Sequence, residues 1–126
     1  MVVKIAFALV LALALTGAAT AQHGHGDHKG PSGGQMVHVA GVDAELLTSG
    51  NTITINVFDE SHKPLATKGF TASALVVRGS EREIVMLTPS GESALKGDAK
   101  NPAAGAAITI TLKTAAGKTG QARFKP

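Results

Sequence analysis

From Gln35 to the end of the chain, short runs of alternating apolar and polar residues are separated by glycine, proline and asparagine. This alternation is the strongest constraint on the fold. No long segment after the first 21 residues has the apolar period of a helix. Seven or eight such runs follow one another at regular spacing, which is typical of an antiparallel sandwich. The sequence therefore predicts an all-β fold, an immunoglobulin-like β-sandwich over residues 35–126.

Two pairs of runs predict hairpins with a defined register. With Gly50 and Asn51 as a two-residue turn, residues 42–48 and 52–58 place their apolar side chains on one face, and Leu46 faces Ile55. For the last hairpin, a three-residue loop sets Ile108 against Phe124 and packs better than a four-residue loop.

The alternation of apolar and polar residues defines the structure of three other segments less well. Residues 70–77 and 82–87 predict a further hairpin, in which two registers pack about equally well, so both stay open. Residues 89–91, Pro-Ser-Gly, predict a turn. Residues 59–64 predict a polar turn, where Pro64 makes a central strand unlikely because proline cannot donate to a strand ladder.

The first 21 residues have the three parts of a secretory signal peptide. Lys4 supplies a positive charge, residues 5–15 are apolar, and residues 19–21 form a small-x-small cleavage site. The apolar run is shorter than the ~20 residues that a membrane-spanning helix needs, and no second candidate follows. We therefore predict a periplasmic or secreted protein that has no membrane span once residues 1–21 are removed.

Residues 22–34, between the signal peptide and the first strand, contain no large aliphatic or aromatic side chain. They cannot form part of a core, and their glycines predict a flexible arm. The arm holds His23, His25 and His28, with Asp27 beside the last. Neutral imidazoles bind copper, zinc and nickel ions, and a carboxylate can add to the ligand set. The alternative interpretation is a solvated tail of low complexity.

Three residues beyond the arm are further candidate ligands. His38 lies on the first strand, where it is either a solvent-facing residue or a fixed ligand to which the arm folds back. His62 follows the second hairpin strand and is either an ordinary turn residue or a weaker ligand. Met36 shares a strand face with His38, so its thioether is either part of the core or a Cu(I) ligand.

Composition argues against several function classes. The chain has no cysteine, and its 12 lysines and arginines are scattered, which argues against nucleic-acid binding. The pairs Asp43/Glu45 and Glu81/Glu83 are interpreted as solvated faces, because general acid–base chemistry needs a cleft. No serine lies in a nucleophile-elbow motif. We therefore do not expect an enzyme.

Three short segments carry a resemblance to a known group. Residues 28–35 read HKGPSGGQ, residues 45–46 read EL, and residues 59–64 read DESHKP. In this order they resemble small exported bacterial proteins associated with heavy-metal handling, which are similar to N-terminal segments of periplasmic adaptor subunits of metal-efflux systems. Lys29 is inserted relative to the H-G-P-x-G-G entry of that group. The resemblance implies a periplasmic sandwich domain linked to copper, zinc or a related ion.

The sequence therefore favours a periplasmic metal-binding protein that buffers or passes on a divalent ion, with copper or zinc preferred over nickel. The predicted ligands are His23, His25, Asp27, His28 and, as an anchor, His38. The expected partners are the metal ion and a metal-efflux component or another envelope protein. The alternative hypothesis is a sandwich interaction module with incidental histidines, which would pair with a partner strand along residues 35–39.

Overall fold

The computed structural model describes residues 28–126, which fold into nine antiparallel β-strands joined by turns and loops. The predicted signal peptide, residues 1–21, and residues 22–27 of the predicted arm lie outside this range. Among the described residues, no helix is long and apolar enough to cross a lipid bilayer. The strands are β1 (His28–Lys29), β2 (Gln35–Val39), β3 (Val42–Ser49), β4 (Thr52–Phe58), β5 (Thr71–Arg78), β6 (Glu81–Ser90), β7 (Ala94–Asp98), β8 (Ala107–Lys113) and β9 (Thr119–Phe124).

The strands form one sheet in the order β1-β2-β3-β4-β7-β6-β5-β8-β9. Strand β6 joins an N-terminal half-sheet (β1, β2, β3, β4 and β7) to a C-terminal half-sheet (β6, β5, β8 and β9). Its first part pairs with β5, and its last three residues pair with β7. The sheet curls until Gly120 of β9 packs against Val39 and Ala40 at the end of β2. The predicted all-β, antiparallel sandwich class is confirmed.

The core lies between the inner faces of the two half-sheets. In β4, Ile53, Ile55 and Val57 are fully buried, while the residues between them are partly exposed. In β8, Ile110 and Leu112 contribute in the same alternating way. Each such side chain contributes about 1.5–3 kcal/mol on burial. Two apolar inner faces therefore stabilise a chain that has no disulfide.

The two predicted hairpin registers are confirmed. Leu46 pairs with Ile55 across β3 and β4, and Ile108 pairs with Phe124 across β8 and β9. The register between β5 and β6, which the sequence left open, is set by a two-residue turn directly after Arg78.

Two short segments differ from the sequence prediction. His28 and Lys29, predicted to belong to the flexible arm, form β1 and pair with Met36 and Gln35, so there are nine strands. Two polar residues are too short a run to show alternation. Pro89, predicted to lie in a turn, belongs to β6. Proline is tolerated there because β6 has already left β5 and pairs with β7 alone.

Candidate metal centre

Four side chains with metal-binding or charged groups share the outer face of the N-terminal half-sheet. His28 pairs with Met36 across β1 and β2, and His38 pairs with Asp43 across β2 and β3. Directly paired residues of an antiparallel ladder point to the same side, and so do residues two apart on one strand. The register of three strands therefore brings two imidazoles, a thioether and a carboxylate onto one surface.

A third imidazole, that of His62, reaches this surface from the turn of residues 59–63. Asp59 Oδ1 accepts hydrogen bonds from the backbone N–H groups of Ser61 (2.8 Å) and Lys63 (3.0 Å). The Asp59 carbonyl accepts another from the His62 N–H at 2.9 Å. These bonds hold His62 at a φ of 62°, a left-handed conformation that few non-glycine residues adopt. Backbone strain of this kind clusters at binding sites.

Asp43 lies between two of the imidazoles. His38 Nδ1 is 2.9 Å from Asp43 Oδ1, and His62 Nε2 is 3.6 Å from Asp43 Oδ2. The Asp43 side chain is only 17% exposed, whereas the two imidazoles are 58% and 72% exposed. Each ring thus turns one nitrogen towards a largely buried carboxylate. Its second nitrogen is left for another partner.

A cavity of about 610 Å³ opens between β1, β2, the turn that joins them and the turn of residues 59–63. All three histidines of residues 28–126 contribute to its wall, together with one of the two methionines in that range. The structure therefore brings together residues that are up to 34 positions apart in the sequence. The lining residues are His28, Lys29, Gly30, Pro31, Met36, His38, Asp43 and His62.

Glu45 fixes the turn between β1 and β2 that forms one wall of the cavity. Its side chain is fully buried. Glu45 Oε2 accepts hydrogen bonds from the backbone N–H groups of Ser32 and Gly34, both at 2.9 Å. Glu45 Oε1 accepts one from Asn56 Nδ2 at 3.3 Å. A Cβ at Gly30 would overlap the Glu45 carboxyl group, so a side chain there would displace the buried carboxylate.

The interpretation of Asp43 and Glu45 as a solvated acidic face is wrong. Both carboxylates are largely or fully buried, because two turns fold back over this side of the sheet. The pair Glu81 and Glu83 is closer to the prediction. Glu81 is exposed, and Glu83 accepts a hydrogen bond from the backbone N–H of Lys100 at 2.8 Å near the surface.

The predicted ligands divide into two groups. His28 and His38 line the cavity, whereas His23, His25 and Asp27 lie outside the described residues. His62, a weaker candidate in the sequence, joins the first group. The sequence reasoning missed Asp43 as a member of the site. A tight turn between β2 and β3 places it opposite His38, so this register was the signal that could have revealed it.

Residues 28–35, 45–46 and 59–64, the three short segments singled out in the sequence, meet at this cavity. Residues 28–35 form β1 and the turn before β2, Glu45 holds that turn, and residues 59–64 supply His62. The edge proposed for partner binding, β2, is less open than the interaction hypothesis requires. Strand β3 pairs with its whole length, and β1 covers its other side at Gln35 and Met36.

His38, His62 and Asp43 are arranged like imidazoles whose orientation is fixed by a carboxylate. Within residues 28–126, no three histidine or carboxylate side chains are placed to hold a metal ion as they stand. Metal-binding histidines commonly turn their other ring nitrogen to a carboxylate, which fixes the orientation of the ring. Asp43 has this relation to His38 and, at longer range, to His62. The available ligands are then imidazole nitrogens and a thioether.

No protein-family model matches this chain, and neither the curated proteins nor the solved structures include one that is similar to it.

Proposed function

We propose that this protein binds a divalent transition-metal ion (copper, zinc or nickel) and buffers it or passes it on in the periplasm. One observation supports this above all: every histidine of residues 28–126 lines the same cavity, and two of them approach one carboxylate. Neutral imidazole is the commonest protein ligand for such ions. A carboxylate behind the imidazole strengthens the ligand.

The arm is the second part of the proposed site. His25 precedes His28 by three residues, so the chain keeps its Cα within about 11 Å of the Cα of His28. His23 and Asp27 are tethered in the same way. In this proposal the arm supplies ligands to an ion held at the cavity. Exchange of ligands between arm and cavity would then release the ion without any covalent step.

The proposed setting comes from the sequence. A signal peptide over residues 1–21 would export the chain, and the resemblance to heavy-metal-handling proteins implies a metal-efflux component or another envelope protein as partner. The exposed positions of His38 and His62 suit this role, because a transferable ion has to be reached by the next ligand set.

Calorimetric titration with Cu(II), Zn(II) and Ni(II) tests this proposal on the protein that begins at Gln22. We expect micromolar or tighter binding of at least one ion. The double variant His38→Ala/His62→Ala should bind it about tenfold more weakly or worse. The matched double variant His23→Ala/His25→Ala measures the share contributed by the arm.

Two results would contradict the proposal in different ways. If the unaltered protein binds none of the three ions, metal handling is ruled out. If the His38→Ala/His62→Ala variant binds as tightly as the unaltered protein, the ion is held without these two residues and the proposed site is wrong.

A further inference from the structure

We infer that the cavity holds copper in its reduced state, Cu(I), with the Met36 thioether as a ligand beside the imidazoles. This inference rests on the proposed function and extends it from divalent ions to a soft, monovalent ion. It depends on the position of Met36 in the cavity and on the hydrogen bonds and contacts that the neighbouring carboxylates already make.

Met36 occupies the centre of the row of candidate ligands. It is partly buried, lines the cavity, pairs directly with His28 and lies two residues from His38. Such positions separate Cβ atoms by about 5 Å across a strand pair and about 7 Å along a strand. Histidine and methionine side chains are long enough to converge on one ion from these distances.

The oxygen ligands nearest to Met36 are already engaged. Both oxygens of Glu45 accept hydrogen bonds, from Ser32, Gly34 and Asn56. Asp43 contacts His38 and His62. The other side chains with donor atoms in the lining offer imidazole nitrogens, a thioether sulfur and the Lys29 amine, which disfavour hard cations such as Ca²⁺, Mg²⁺ and Mn²⁺. Zinc accepts imidazoles but gains little from a thioether, whereas Cu(I) prefers one.

The chain offers an internal comparison for this argument. Residues 28–126 contain two sulfur atoms, in Met36 and Met86, and no cysteine. Met86 is 66% exposed on the outer face of the C-terminal half-sheet and pairs with Ser73. Met36 instead pairs with a histidine in a cavity that two further histidines line. Met36 therefore presents its thioether among potential ligands, whereas Met86 does not.

Competition for Cu(I) against a chromophoric Cu(I) chelator, under anaerobic reducing conditions, tests the inference. Met36→Leu should weaken Cu(I) binding about tenfold or more, because it removes the soft ligand. The same variant should change Zn(II) and Cu(II) binding by less than about twofold, because the imidazoles remain. Leucine replaces methionine at nearly constant volume, so the fold should be retained.

Met86→Leu is the matched control and should leave the binding of every ion unchanged. X-ray absorption of the Cu(I)-loaded protein gives a second readout: a sulfur neighbour should be present in the unaltered protein and in Met86→Leu, and absent in Met36→Leu. Unchanged Cu(I) affinity in Met36→Leu, with divalent ions still bound, would overturn this inference alone. Failure of the unaltered protein to bind any metal would overturn the proposed function as well.

Discussion

The outer faces of the two half-sheets are built from similar alternating strands, yet they differ in what covers them. On the N-terminal half-sheet, the turn between β1 and β2 and the turn of residues 59–63 fold back over the strands and enclose a cavity. On the C-terminal half-sheet, Ile84 and Met86 are 71% and 66% exposed. The comparison shows that the connecting turns, rather than the strands, form a cavity over a sheet face.

A carboxylate organises each of the two turns. Glu45 accepts hydrogen bonds from the turn before β2, and Asp59 accepts hydrogen bonds from its own turn. On the other half-sheet, Glu83 holds the backbone of Lys100 in a similar way, but it lies nearer the surface. A carboxylate that accepts hydrogen bonds from the backbone is therefore expected to contribute more to stability the more deeply it is buried. Three predictions test this difference.

The largest effect is expected for Glu45→Ala. The substitution leaves the N–H groups of Ser32 and Gly34 without their acceptor in a partly buried position. We expect the free energy of unfolding to fall by about 2–3 kcal/mol, since each unsatisfied buried donor costs about 1–3 kcal/mol. Urea denaturation measures this change.

Glu83→Ala is the matched control for Glu45→Ala. It also removes an acceptor of a backbone N–H group, but the Lys100 N–H lies at an exposed site where water can replace the carboxylate. Its cost should stay below about 1 kcal/mol. Equal losses of unfolding free energy in the two variants would show that the burial of Glu45 adds no stability to the turn before β2.

A smaller effect, on affinity rather than on stability, is expected for Asp43→Asn. The amide keeps the shape of the side chain but loses the charge that faces His38 and His62. Loss of an outer-shell carboxylate typically weakens metal binding about 10–100-fold. Titration with the ion that binds best measures it, and Glu83→Gln serves as the control on the other half-sheet. Unchanged affinity in Asp43→Asn would remove Asp43 from the site.

The smallest effect is expected for His62→Gly, and its sign differs between stability and binding. Glycine adopts a φ of 62° without the steric cost that other residues have in the left-handed region. We expect the free energy of unfolding to rise by about 0.5–1 kcal/mol while metal affinity falls.

Ala40→Gly is the matched control for His62→Gly, because Ala40 has a φ of 52° at the turn after β2. It should show the same gain in stability with no change in metal affinity. A loss of stability in His62→Gly would mean that the contact with Asp43 outweighs the backbone strain.

Strand pairing was largely predictable because it depends on local information. Alternation marks the face of each strand that is buried, and a short turn then allows few registers. The pairs Leu46 with Ile55 and Ile108 with Phe124 follow from these two rules. Where two registers buried similar side chains, as between β5 and β6, the pattern could not decide.

The site was less predictable because it depends on contacts between distant segments. His28 and His38 were recognised by residue type alone. Glu45 alternates like a solvent-facing residue, and only the return of Ser32 and Gly34 over it makes it buried. The approach of His62 to Asp43 likewise depends on the path of the turn of residues 59–63, which follows β4. Periodicity carries no information about which turn covers which face.

Paramagnetic broadening by Cu(II) tests the central claim most directly, namely that the cavity on the N-terminal half-sheet holds the ion. Substoichiometric Cu(II) is added to the ¹⁵N-labelled protein, and the amide signals are followed by NMR. Signals of residues around the cavity, such as His38, Asp43 and His62, should broaden first, while those of Ile84 and Gly117 stay sharp. Broadening confined to residues 22–27, with the cavity signals unchanged, would contradict the claim.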